Sequence, residues 1–100
     1  MEINTTINNG QVIVSLSGSM YVEEAAILRE KLIILMESGH KEFIIKLNKV
    51  DYIDSSGLGV LVAIQKRALQ IKGGVTLVGA SGLVKELFEL TRLNKVFAMQ

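Results

Sequence analysis

Residues 43–59 read FIIKLNKVDYIDSSGLG, and the way this stretch divides settles what kind of fold the chain can build. Its opening, Phe43 to Leu47, is nearly all apolar and includes Ile44 and Ile45. A short run of that composition fits a strand buried on both faces in a parallel sheet. Its close, Asp51 to Gly59, brings two aspartates, two serines and two glycines, the residues of a turn that leads into a helix. A strand feeding a helix through a polar turn is the first half of a β-α-β crossover, so the flanking segments should supply the rest.

They do. Ile3 to Ile7 and Gln11 to Ser17 alternate with β-branched residues around Asn8-Asn9-Gly10, whose residues adopt positive φ readily, which predicts a β-hairpin. From about Val22 to Ser38 the apolar positions move to helical spacing, with Ala25, Leu28, Leu32, Leu35 and Met36 on one side and Gly39 as the stop. Downstream of the quoted stretch a second helix is expected from about Ser56 to Lys72, ending at Gly73-Gly74. Val75 to Gly79 reads as another buried strand, and Ser81-Gly82 opens a shorter helix with Leu83, Val84, Leu87 and Phe88 toward the core. The expected fold class is α/β: one domain over residues 1–100 with a mixed sheet of four to five strands, begun by a hairpin and continued α-β-α-β-α.

Composition narrows the function before any motif is weighed. One hundred residues with 49% hydrophobic content fill one core and leave nothing for a second. Eleven basic residues against ten acidic ones give a formal charge of +1, so no global field favours nucleic acid or an anionic membrane. The absence of cysteine removes disulfides, thiolate metal sites and a cysteine nucleophile. The polar start MEINTTINNG is unlike a secretion signal, and no apolar run reaches the ~20 residues of a membrane span, so the expectation is a soluble, cytoplasmic protein.

The usual catalytic constellations also fail. His40 is the only histidine and falls in a loop after Gly39, where an exposed or helix-terminal role suffices. Ser55 and Ser56 are preceded two residues earlier by Ile53 and Asp54, so no G-x-S-x-G elbow exists. Gly57-x-Gly59 lacks the third glycine of a dinucleotide fingerprint, since Val62 stands there, and Gly73-Gly74 leads into a strand rather than a phosphate-binding helix. Asp51 and Asp54 alone are too few oxygen ligands for a cation. No metal, no cofactor and no enzymatic activity of the chain's own are expected; a hydrolase using Asp54 or Ser55 would lack a base.

Either Asp54 or Ser55 can cap the following helix, and capping alone would account for the aspartates and serines. It does not account for Gly57 and Gly59, each costing roughly 0.5–1 kcal/mol relative to alanine inside a helix. Bare backbone at a helix start allows close approach of another surface and presents N–H donors to an anion such as a phosphoserine. The helix itself divides into one apolar face, Val60, Leu61, Ile64, Ala68 and Ile71, expected to meet the sheet, and a second stripe. That stripe is Leu58, Val62 and Leu69, mixed with Gln65, Lys66 and Gln70, and is the composition of a modest protein interface. On the first helix Ile27 and Ile34 fall on the charged side near Glu23 and Glu30.

Taken together, Val50-Asp51-Tyr52-Ile53-Asp54-Ser55-Ser56-Gly57-Leu58-Gly59-Val60 resembles the signature of STAS-domain anti-sigma factor antagonists, the bacterial anti-anti-sigma factors. Gly18, Gly73-Gly74 and the run LFELTRLNKVF extend the resemblance over essentially the whole chain. It implies helices mainly on one face of the sheet. It implies Ser55 as phosphoacceptor, and a partner-binding face of Asp54, Ser55, Ser56, Gly57, Leu58, Gly59, Val62, Lys66 and Leu69. It further implies an anti-sigma factor that is also a serine kinase as partner, with a serine phosphatase to reset the switch, and no direct contact with nucleic acid. Members of the family also serve as unphosphorylated scaffold subunits of signalling or lipid-transport complexes, the alternative reading. One position departs from the pattern: Tyr21 stands where an aspartate is usual after the glycine that ends the second strand.

Overall fold

Asn9 and Gly10 take φ of 52° and 80°, the two successive positive values that a two-residue hairpin turn of the right twist demands. They join β1 (Glu2–Asn8) to β2 (Gln11–Met20) in antiparallel register, with Asn8 opposite Gln11 and Glu2 opposite Ser17. The structure, a computed structural model, describes residues 1–100. Beyond the hairpin the order is α1 (Val22–Glu37), β3 (Glu42–Ile53), α2 (Ser55–Gln70), β4 (Gly74–Val78), α3 (Gly82–Leu90), a 3-10 turn at Leu93–Lys95 and β5 (Ala98–Met99). The five strands lie in chain order, β1-β2-β3-β4-β5, and every pairing after the first is parallel. Right-handed crossovers that always step in the same direction put all their helices on one face. The single-domain α/β expectation with one-sided helices is met.

The core is one cluster of 21 buried side chains. Val12, Val14 and Leu16 of β2, Phe43, Ile45 and Leu47 of β3, and Val75 and Leu77 of β4 face Ala25, Leu28 and Leu32 of α1, Leu61, Ile64 and Ala68 of α2, and Val84 and Phe88 of α3. Because only one side carries helices, β3 alternates buried and accessible positions instead of being buried on both faces. Ile44 is half-buried and Lys46 exposed on the open side. Three further expectations need correction. β3 is not a five-residue strand: it continues through Asn48 to Ile53. Its register against β2 shifts between Ser15 and Ser17 and again between Gly18 and Ser19. Each shift places an extra residue in β3, which spaces its buried residues Leu47, Val50 and Ile53 by three and hides the strand's period of two. Leu83 is half exposed, because α3 is short and only its Val84 and Phe88 side reaches the sheet. Ile71 lies past the end of α2 and is exposed rather than buried.

α2 also stops two residues earlier than expected, at Gln70 rather than Lys72. Lys72, not a glycine, holds the left-handed conformation, with φ of 64°. The Gly73 N–H donates to the Ala68 carbonyl at 2.7 Å and the Lys72 N–H to Leu69 at 3.1 Å, the paired bonds of a Schellman ending. Since a side chain is strained in that conformation, Lys72→Gly is expected to raise stability by about 0.5–1 kcal/mol, read as a higher denaturant midpoint at unchanged slope. At the centre of this region Gln65 is 5% exposed. Its Oε1 accepts from the Val75 N–H at 2.8 Å and its Nε2 donates to the Val96 carbonyl at 2.9 Å. Both ends of a buried amide are thereby satisfied, and α2 is tied to β4 and to the C-terminal segment.

Candidate functional site

Met20 and Ile53 end β2 and β3 side by side. The Asp54 N–H donates to the Met20 carbonyl at 3.0 Å, so the junction after β3 is fixed to the end of β2 before α2 begins. Asp54 is the cap of α2: its Oδ1 accepts from the Gly57 N–H at 3.0 Å and its carbonyl accepts from the Leu58 N–H at 3.0 Å. Sequence left Asp54 and Ser55 as equal candidates for that task, and the geometry gives it to Asp54 alone. Neither Ser55 nor Ser56 uses its hydroxyl in a hydrogen bond within the chain. Ser55 is exposed in the first turn of α2, where backbone N–H groups are free and the helix dipole is positive.

The nine candidate residues divide between surface and interior. Ser55, Gly59, Val62, Lys66 and Leu69 are separated by four, three, four and three residues. At ~100° per residue they fall within about 80° of arc, one outward row along α2. Ser55, Gly59, Lys66 and Leu69 are exposed, Leu69 by 56%, and Val62 is half-buried. Asp54 and Ser56, both half-buried, flank the head of this row. Gly57 and Leu58 are not part of the accessible surface. Leu58 turns inward with Leu61 and Gln65, which corrects the expected outer stripe twice over, for Leu58 and for Gln65.

The two glycines serve different ends. A Cβ on Gly57 would come within 2.6 Å of Ile53 Cγ2 and 2.8 Å of Met20 Sδ, so its bare backbone is required by packing inside the chain. A Cβ on Gly59 would meet nothing within 4 Å. Gly57→Ala is expected to cost about 1–3 kcal/mol through overpacking. Gly59→Ala is expected to stabilise the helix by about 0.5–1 kcal/mol, and paired denaturation curves decide both signs.

Beside the row, Tyr21 and Tyr52 form a tilted pair with ring centroids 5.8 Å apart and 42° between planes. Tyr52 pairs with Ser19 through the second register shift, and Tyr21 precedes α1 with its N–H bonded to Glu24 Oε1 at 2.9 Å. Sequence did not join these two rings; the extra residue at the shift, which sets Tyr52 opposite Ser19, brings them together. The surface depressions of the molecule lie elsewhere, lined by residues such as Phe88 and Met99, Arg67 and Ile71, or Glu86 and Leu90. Three or more histidine, cysteine or carboxylate side chains do not gather anywhere, and no helix is long and apolar enough to cross a membrane. A convex, partly apolar row headed by an exposed hydroxyl is suited to docking a protein and is a poor container for a small molecule.

The STAS domain family model matches residues 2–100, and the chain belongs to that family. The anti-sigma-B factor antagonist of Bacillus subtilis is 36% identical over 98 residues, covering 96% of this chain and 89% of that protein. The crystal structure of an anti-sigma factor antagonist from Mycobacterium paratuberculosis superposes with a TM-score of 0.87 at 23% identity, over 98% of this chain and 83% of that one. SpoIIAA of Bacillus in its phosphorylated form gives 0.81 at 17% identity, over 99% and 91%.

Proposed function

We propose that the chain is an anti-sigma factor antagonist whose docking surface is the outward row of α2 and whose switch is Ser55. Unphosphorylated, it binds an anti-sigma factor that is also a serine kinase and so releases the sigma factor. Phosphorylation of Ser55 by that kinase ends binding, and a serine phosphatase restores it. The observation that carries this reading is the position of Ser55, exposed, free of any capping duty and heading the row Gly59, Val62, Lys66 and Leu69. Asp54 shapes the turn and Ser56 borders it. The names of the curated relatives support the partner class.

The scaffold alternative is weakened by the same geometry, since it gave the serines a structural role that Asp54 in fact fills. The test is incubation with the purified anti-sigma factor of the same organism in ADP and in ATP, followed by peptide mass spectrometry. Expected are a stable complex in ADP, loss of the complex in ATP, and a phosphate on Ser55. A phosphate on Ser56, or none, would overturn the assignment.

A further inference from the structure

β1 is the outer strand of the sheet, and β2 is the only strand it pairs with. Six of its seven residues are exposed. In a hairpin with a two-residue loop the residues flanking the loop form a hydrogen-bonded pair, and bonded and unbonded pairs then alternate. From the observed register, Asn8, Thr6, Asn4 and Glu2 therefore direct their backbone groups to β2. Ile7, Thr5 and Ile3 direct theirs away from the sheet. Edge strands are ordinarily guarded by proline, lysine or a bulge, and β1 has none of these; its single charge is Glu2.

We propose that this edge is occupied by a second copy of the chain, β1 against β1′ antiparallel about a two-fold axis at Thr5. That register sets Thr5 opposite Thr5′, Ile3 opposite Ile7′ and Ile7 opposite Ile3′, and pairs every outward N–H and C=O of the three residues. A symmetric register centred on Thr6 sets Ile3 against Asn9′ in the turn, and one centred on Asn4 sets Ile7 against Met1′, outside the strand. Side chains agree with it. Ile3 and Ile7 lie on the helix side of the sheet, opposite Leu16 and Val12 of β2, and Ile7 is 56% exposed until Ile3′ covers it. Glu2 faces the neutral Asn8′, so no like charges oppose one another. The result is a closed two-fold dimer with a continuous ten-stranded sheet. The area involved is small, so the association is weak and concentration-dependent. The outward row of α2 is not in the contact, and this inference is independent of the proposed function.

Sedimentation equilibrium and amide exchange from micromolar to millimolar concentration test it. The mass is expected to climb from the 10.9 kDa of one chain toward twice that value. The amides of Ile3, Thr5 and Ile7 should gain protection in step. Thr5→Pro removes an outward donor without touching the β1–β2 ladder, and Thr5→Lys sets two cations across the axis; each should weaken self-association at least tenfold. In this cysteine-free chain, Thr5→Cys should form a disulfide-linked dimer under mild oxidation faster than Thr6→Cys. A single-chain mass with those three amides unprotected at all concentrations overturns the proposal, with or without the variants. So does association that survives both Thr5→Pro and Thr5→Lys, or protection of the three amides that arises only when an anti-sigma factor is added.

Discussion

Gly73→Ala is expected to lower stability by more than about 4 kcal/mol. A Cβ at Gly73 would overlap the carbonyl oxygen of Lys41 and stand 2.6 Å from its carbonyl carbon. Nothing there can yield cheaply. The Lys41 oxygen accepts from the Gly74 N–H at 2.9 Å, which starts the β3–β4 pairing, and the Gly73 N–H is committed to the ending of α2. Moving either backbone to admit a methyl group breaks a hydrogen bond at one end of a crossover. Gly74→Ala is the matched control: its Cβ would have Gln65 Oε1 as nearest neighbour, at 4.0 Å, and a loss under about 1 kcal/mol is expected. For a domain of this size the larger loss corresponds to a fall in Tm of roughly 15 °C or more. Thermal unfolding of the two variants side by side measures the difference. Similar midpoints would show that the β3–β4 junction has room to relax.

Ser55→Asp should separate folding from binding by sign. An acidic side chain in the first turn of a helix is favoured by the dipole, so the fold should gain a few tenths of a kcal/mol, up to about 1 kcal/mol. Docking should lose several kcal/mol, because a charge carried into a desolvated contact without a counter-charge keeps its desolvation penalty. At ~1.4 kcal/mol per tenfold, affinity falls by roughly a hundredfold or more. A phosphate on Ser55, at about −1.5 to −2 charges, should exceed that effect. Titration calorimetry with the anti-sigma factor, beside a denaturation curve, reads both quantities. Binding equal to wild type would eliminate charge as the basis of switching, whatever the fate of the serine.

The extent to which these features were legible in the sequence follows from their physical range. The turn Asn9-Gly10, the helix limits of α1 and the exposed Ile27 and Ile34 depend on neighbours within a turn or a heptad, and the sequence alone shows them. The second half of β3 depends on two register shifts against β2, and Asn48-Lys49 looks like a loop until the partner strand is placed. Gln65 looks like a surface residue in the sequence because its two partners lie 10 and 31 residues away. The two glycines mark the same helix start for two different reasons. Gly57 is imposed by Ile53 and Met20, whereas Gly59 answers to nothing inside the molecule. Which serine was spared from capping could not be read from a string in which Asp54 and Ser55 are both good caps.

The coincidence of strand order with chain order has a consequence for how the molecule is made. A chain emerging from the ribosome meets each new strand at the open edge of what has already formed, and no strand has to be inserted between two earlier ones. Loop closure at every step spans one crossover, which keeps the entropic barrier low and favours growth from the β1–β2 hairpin outward. Dissolution should run the other way. β5 is two residues long and borders only β4, so exchange of its amides should report the first rung to open, while those of β2, enclosed on both sides, should wait for the whole domain.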